Sequence, residues 1–146
     1  MSVPARFTVI TLGVADVRRA AEFYERLGFT RKMKATGDEV AFFETGGTAL
    51  ALWSWDKAAK ECGTPADPRP RAFRGIMLAW NCSTPPEVDA AMEQALGAGA
   101  QLLKAAHATD YGGYAGYFAD LDGHVWEIVT APGISVQADG RVSLPA

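Results

Sequence analysis

Apolar and polar positions change their period in the same order twice along the chain. From Phe7 to Val14 they alternate, with Phe7, Val9 and Thr11 on one face and Thr8, Ile10, Leu12 and Val14 on the other. Both faces are largely apolar, which predicts a strand buried on both sides. The period then becomes helical. Val17, Ala20, Ala21, Tyr24 and Leu27 share one face, while Arg18, Glu22 and Arg26 stand four apart on the opposite one. Asp16 is placed to cap this helix and Gly28 to end it. RKMKA, EVAFFETGG and TALALW then read as three further strands, the last two joined through Glu44-Thr45-Gly46-Gly47.

The second half repeats the series as GIMLAWNC, TPPEVDAAMEQALGAGA, QLLKA, GYAGYFADLDG and HVWEIV. Thr84 and Glu87 form a capping box with Pro85 at the first helical position. Val88, Ala91, Met92, Ala95 and Leu96 make the buried stripe, and Gly97 and Gly99 close the helix. Asp120-Leu121-Asp122-Gly123 turns the final hairpin. A βαβββ unit of this size cannot cover both faces of its own sheet, so two copies are expected to complete each other. The predicted fold is α+β: two βαβββ modules, at about 6–55 and 75–131, forming a curved mixed sheet around a cleft within a single domain. Residues 56–74 link the modules. The tail, 132–146, holds an Ala-Asp-Gly turn and no other clear element.

Composition narrows the function. In 146 residues, 49% apolar and with a net charge of −3, there is material for a sizeable core and no run of like charge. Nucleic acid is an unsuitable partner, because backbone binding needs a concentrated basic surface; the only basic cluster, Arg69 to Arg74, reads as a solvated linker. No apolar run is long enough to cross a bilayer and no signal layout opens the chain. With only Cys62 and Cys82, read as two reduced thiols, the expected location is the cytoplasm. No nucleophile–base grouping, phosphate-cradling loop or dinucleotide fingerprint appears; GGYAG lacks the strand-then-helix context.

LGVADVRRAAEFYERLGF and GGYAGYFADLDGHVWEIV together resemble the vicinal oxygen chelate superfamily, which takes in glyoxalases, bleomycin-resistance proteins and extradiol dioxygenases. The likeness spans about residues 6–131, with Leu121 standing where the family usually has Pro. The resemblance implies paired modules, often exchanged between chains of a dimer. It also implies four inward-facing positions at which enzymes of the group hold a divalent metal. By register these carry Val9, Ala51, Met77 and Glu127. Only Glu127 offers a hard donor, and a Met thioether suits copper rather than zinc or iron. A metal-independent site with no cofactor is therefore expected.

By the same parity Phe7, Thr11, Trp53 and Trp55 join Val9 and Ala51, and Asn81 joins Met77. The cleft so described is apolar and aromatic-edged, with one carboxylate and one amide. It suits an organic ligand of moderate size bearing a polar or cationic group. Glu127 reads as a ligand-facing or acid–base group, or as a buried carboxylate paired structurally. Asn81 either orients a ligand carbonyl or satisfies backbone. Trp53 and Trp55 either stack on a ligand or pack against a partner module. Tyr111 and Tyr114 flank two glycines in a loop that is either a lid or a plain hairpin entry. Trp80 and Trp126 fall on the helix-facing side, His124 packs in its turn, and His107 borders the cleft.

The favoured function is binding of a small molecule in the intermodule cleft. The alternatives are a lyase, isomerase or dioxygenase-type enzyme using Glu127 as base or metal ligand, and a non-catalytic interaction module. Open module edges and exposed Trp predict a homodimer.

Overall fold

The computed structural model describes residues 1–146. The first module runs β1 (Val9–Val14), α1 (Val17–Leu27), β2 (Thr30–Lys32), β3 (Val40–Glu44) and β4 (Ala49–Ser54). A linker containing α2 (Trp55–Glu61) leads to β5 (Met77–Asn81), α3 (Pro85–Ala98), β6 (Gln101–Ala108), β7 (Tyr114–Ala119) and β8 (Val125–Thr130). A small hairpin, β9 (Ser135–Val136) with β10 (Val142–Ser143), ends the chain. Each module folds into its own four-stranded mixed sheet, in the orders β1-β4-β3-β2 and β5-β8-β7-β6. In each, the first strand lies parallel to the last, so β1 and β5 are edges.

The helices begin and end where local chemistry directs. Asp16 accepts the Arg19 N–H at 3.0 Å, and Gly28 takes φ 109°, the left-handed conformation that ends α1. At α3 the Thr84 hydroxyl accepts the Glu87 N–H at 3.4 Å. Glu87 reaches back to the N–H of Ser83 at 2.7 Å, one residue earlier than the simple capping box.

Helix-facing side chains of both modules merge into one core. It takes Leu12, Val14, Phe43, Leu50 and Leu52 from the first sheet, and Leu78, Phe118, Trp126 and Ile128 from the second. Tyr24 and Leu27 of α1, with Val88 and Ala95 of α3, fill the space between them. Burying each such apolar side chain contributes roughly 1.5–3 kcal/mol, and neither sheet alone could cover its inner face.

Polar ties lock the modules together. The Ala15 N–H donates to Asp122 Oδ1 at 2.8 Å, and His124 Nε2 donates to the Gly13 carbonyl at 2.7 Å. Arg26 donates to the Ala98 carbonyl and Gln94 to that of Leu27, so each helix end is held by the other helix.

Besides α2, which lies in the expected linker, four elements differ from the sequence reading. β1 starts at Val9, leaving Phe7 outside the ladder. RKMKA supplies only the end of a three-residue strand before Met33 turns left-handed, at φ 49°, into a 3-10 turn. The stripe of α3 buries Ala98 where Leu96 was expected; Leu96 is 39% exposed. The tail forms a hairpin rather than an irregular end, because Gly140 at φ 88° permits a tight turn between two-residue strands.

Candidate functional site

Strand register sets which side chains share the face turned away from the helices. On the second sheet Ala79 stands opposite Glu127, and Glu127 opposite Tyr117. Met77 pairs with Val125, and His107 with Ala115. All of these alternate with core residues, so they lie on the outer strand face. The Tyr117 hydroxyl donates to Glu127 Oε2 at 2.8 Å, and the His107 ring lies 6.4 Å from the Tyr117 ring. Burial, followed by the bond to Glu127 and its charge, pushes the Tyr117 phenol up to about 12, with a further contribution from Tyr111. Tyr117 is thus held as a donor, Tyr111 stands near it, and Glu127 keeps its second oxygen for another partner.

On the first sheet the matching face carries Val9, Thr11, Ala51 and Trp53. Val9 stands opposite Ala49 and Thr11 opposite Ala51. Val9 and Thr11 are exposed, Trp53 is half-buried and Ala51 is buried. No polar contact joins this face to the one carrying Glu127.

Comparison with known proteins accounts for the duplicated architecture. The sequence profile of the Glyoxalase/Bleomycin resistance protein/Dioxygenase superfamily matches residues 6–128. The chain belongs to this superfamily. It is similar to a glyoxalase-related enzyme from Fulvimarina pelagi, with 35% identity over 97% of this chain and 99% of that one, at a TM-score of 0.84. It is also similar to a glyoxalase/bleomycin resistance protein/dioxygenase from Nocardioides, at 27% identity over 91% and 88% of the two chains and a TM-score of 0.73. A lactoylglutathione lyase from Agrobacterium tumefaciens shares the fold at 21% identity, over 88% and 96% of the two chains, with a TM-score of 0.65. No curated protein matches the chain.

Members of the superfamily that use a metal need several hard donors on their strand faces, and the donor set here does not fit one. Val9 and Ala51 bear no lone pairs, Met77 is a soft thioether, and Glu127 is a single carboxylate already accepting from Tyr117. No three His, Cys, Asp or Glu side chains in the structure are grouped to hold an ion.

Four of the expected cleft residues, Trp55, Tyr114, Phe7 and Asn81, lie elsewhere. Trp55 is the first residue of α2 rather than a strand residue, because the Ser54 side chain caps a helix and ends the alternation. Its Nε1 donates to the Ala66 carbonyl at 2.8 Å, and its ring stacks on His124 at 6.1 Å. The Arg69 and Arg74 guanidiniums lie 5.0 and 4.9 Å from the same ring. Trp55 therefore fastens the linker to the module junction. Tyr114 has the helix-facing parity of Phe118, and its hydroxyl donates to Asp89 of α3 at 2.7 Å. That bond to Asp89 is the leading cause of its raised phenol pKa.

Tyr117 was the residue the sequence reading overlooked. Counting back from the turn before Gly123 sets it opposite Glu127, so the hairpin itself carried the signal. Phe7 and Asn81 line a different feature, a cavity of about 730 Å³ between the modules.

Proposed function

We propose that this protein binds a small organic molecule in a cleft over the strand faces, without a bound metal. The observation that carries this reading is the Glu127 carboxylate, oriented by Tyr117 at 2.8 Å on the second sheet, while the other three positions equivalent to metal-holding ones carry Met77 on that sheet and Val9 and Ala51 on the first. A carboxylate beside phenol rings attracts positive charge, so the ligand class that fits is an aromatic or aliphatic cation. Met77 and the neighbouring Val125 and Val129 supply apolar contact.

A homodimer completes this cleft. Phe7, Val9, Ile76 and Met77 are 72%, 43%, 66% and 45% exposed, and all belong to or flank the edge strands β1 and β5. Unpaired edges bearing exposed apolar side chains favour pairing with a second copy, which would close the strand faces from solvent.

A second reading is an enzyme, a lyase or isomerase using Glu127 as general base. It is supported by Tyr117, a donor whose phenol is pushed up to about 12 by burial and Glu127, standing beside a carboxylate with a free oxygen.

Thermal-shift titration of chelator-treated protein with aryl-alkylammonium compounds separates the readings. A shift that saturates and disappears in Glu127→Gln supports the receptor. At a hundredfold the dissociation constant such a ligand adds ~2.7 kcal/mol. A shift seen in untreated protein but absent after chelator treatment would refute it. Turnover of a 2-oxoaldehyde–thiol adduct, abolished by Glu127→Gln, would select the enzyme.

A further inference from the structure

Neither Glu127 nor Tyr117 lines the cavity between the modules, although Ala79, the strand partner of Glu127, reaches its wall. The cavity occupies about 730 Å³ and is walled by Ile10, Phe29, Leu50, Leu78, Trp80 and Trp126. Pockets of this size hold drug-sized molecules, and walls of this kind favour an apolar body. The tail hairpin covers it, with Val136 and Val142 facing the hollow. The hairpin tip is seated on the β3–β4 turn through a glycine pair. A Cβ on Gly46 would meet the Asp139 carbonyl at 2.4 Å, and one on Gly47 the Arg141 Cγ at 3.2 Å. At Gly46 only glycine permits this approach, and the Arg141 stem lies against Gly47 at the rim.

Charge decides the ligand class. Arg141 is the only ionisable side chain lining the cavity; the other polar groups are Asn81, Thr45 and Thr48, and no carboxylate lines it. The sole acidic neighbour of Arg141 is Asp139, at 3.7 Å and well exposed, an ion pair of little strength that leaves the guanidinium free to take another anion. A guanidinium binds a carboxylate through two parallel N–H bonds, while the aromatic floor accepts the remainder of the molecule.

We infer that this cavity is a second ligand site, for an amphipathic monocarboxylate. Its carboxylate lies on Arg141 and its apolar body lies against Phe29, Trp80 and Trp126, beneath the tail hairpin. The site goes beyond the strand-face reading and does not depend on it.

The test uses dansylaminoundecanoate, a fluorescent carboxylate with an apolar chain, titrated into the full-length protein and excited through tryptophan. The expected result is saturable, one-site sensitised emission, since Trp80 and Trp126 would lie beside the probe. Dodecanoate should displace it, and benzyltrimethylammonium, a probe of the Glu127 face, should not. Arg141→Gln should weaken binding about tenfold, the size of one lost charge-assisted hydrogen bond, and Arg141→Lys, which keeps the charge but not the two-bond fork, should weaken it less. Circular dichroism of both variants checks that the exposed substitution leaves the fold intact. Absence of saturable emission overturns the proposal. So does equal affinity for the probe's neutral amide, an unchanged affinity in Arg141→Gln, or displacement by the aromatic cation.

Discussion

The Tyr24 hydroxyl donates to Asp120 Oδ2 at 2.6 Å, and the Tyr24 hydroxyl oxygen itself accepts the Trp126 indole N–H at 3.0 Å. Asp120 Oδ1 in turn accepts the N–H groups of Asp122 and His124, at 2.9 and 2.8 Å. One buried carboxylate thus shapes the second module's turn while anchoring the first module's helix. The two sequence blocks that mark the superfamily, FY-x-x-LGF and D-x-DGH-x-WE, meet physically at this bond.

Tyr24→Phe removes a donor from a buried carboxylate and an acceptor from Trp126. A loss of about 1–3 kcal/mol is expected, because a buried polar group left without its partner bears its full desolvation cost. Urea denaturation with an unchanged slope and a lowered midpoint is the expected reading. An unchanged midpoint would show that water replaces the hydroxyl.

Alkaline pH should weaken the fold. Burial, then the charge of Glu87, raises the Cys82 thiol from 9.0 to about 11, and Tyr117 rises from 10.0 to about 12. Tyr24 is also raised, chiefly by burial and then by Asp120. Each group keeps its proton longer in the folded chain, so the unfolded chain releases protons first as pH rises. The stability they support is whole below about pH 9 and falls as pH passes through 9 to 12. Denaturation midpoints measured across that window should decline, and Tyr117→Phe should reduce the decline.

The two thiols should differ in reactivity. Cys62 is exposed in the linker, whereas Cys82 is buried and its thiolate disfavoured. Titration of native protein with a disulfide reagent should show one fast thiol, and denatured protein two. Two fast native thiols would contradict the packing at the end of β5.

Trp55→Ala should loosen the linker. It removes a hydrogen bond to Ala66, a stack on His124 and two guanidinium contacts. The expected cost is about 2–3 kcal/mol, summing one hydrogen bond and two partly exposed cation–π contacts. Limited proteolysis should then cut residues 62–74 faster than in the native protein.

Legibility in the sequence follows the range of the forces involved. Asp16, Gly28 and Thr84 act on backbone groups within four residues, so both helices could be read from local chemistry. Strand alternation likewise gave the outward parity of Val9, Met77 and Glu127. α2 was missed because its seven residues lie in a polar, Pro-containing linker, and its start rests on the single Ser54 cap. The tail hairpin was missed because two-residue strands leave no periodic trace. The cavity could not be foreseen, since Ile10, Trp80 and Arg141 meet only through packing of distant segments.

Metal content tests the receptor most directly. Elemental mass spectrometry on protein purified without chelator, and offered zinc, nickel, manganese and iron in turn, gives the ion held per chain. With Glu127 the one hard donor at the four equivalent positions and Val9, Ala51 and Met77 at the others, the account predicts substoichiometric metal and unchanged affinity for an aryl-alkylammonium ligand in each case. One tightly held ion per chain, lost in Glu127→Ala, would contradict it.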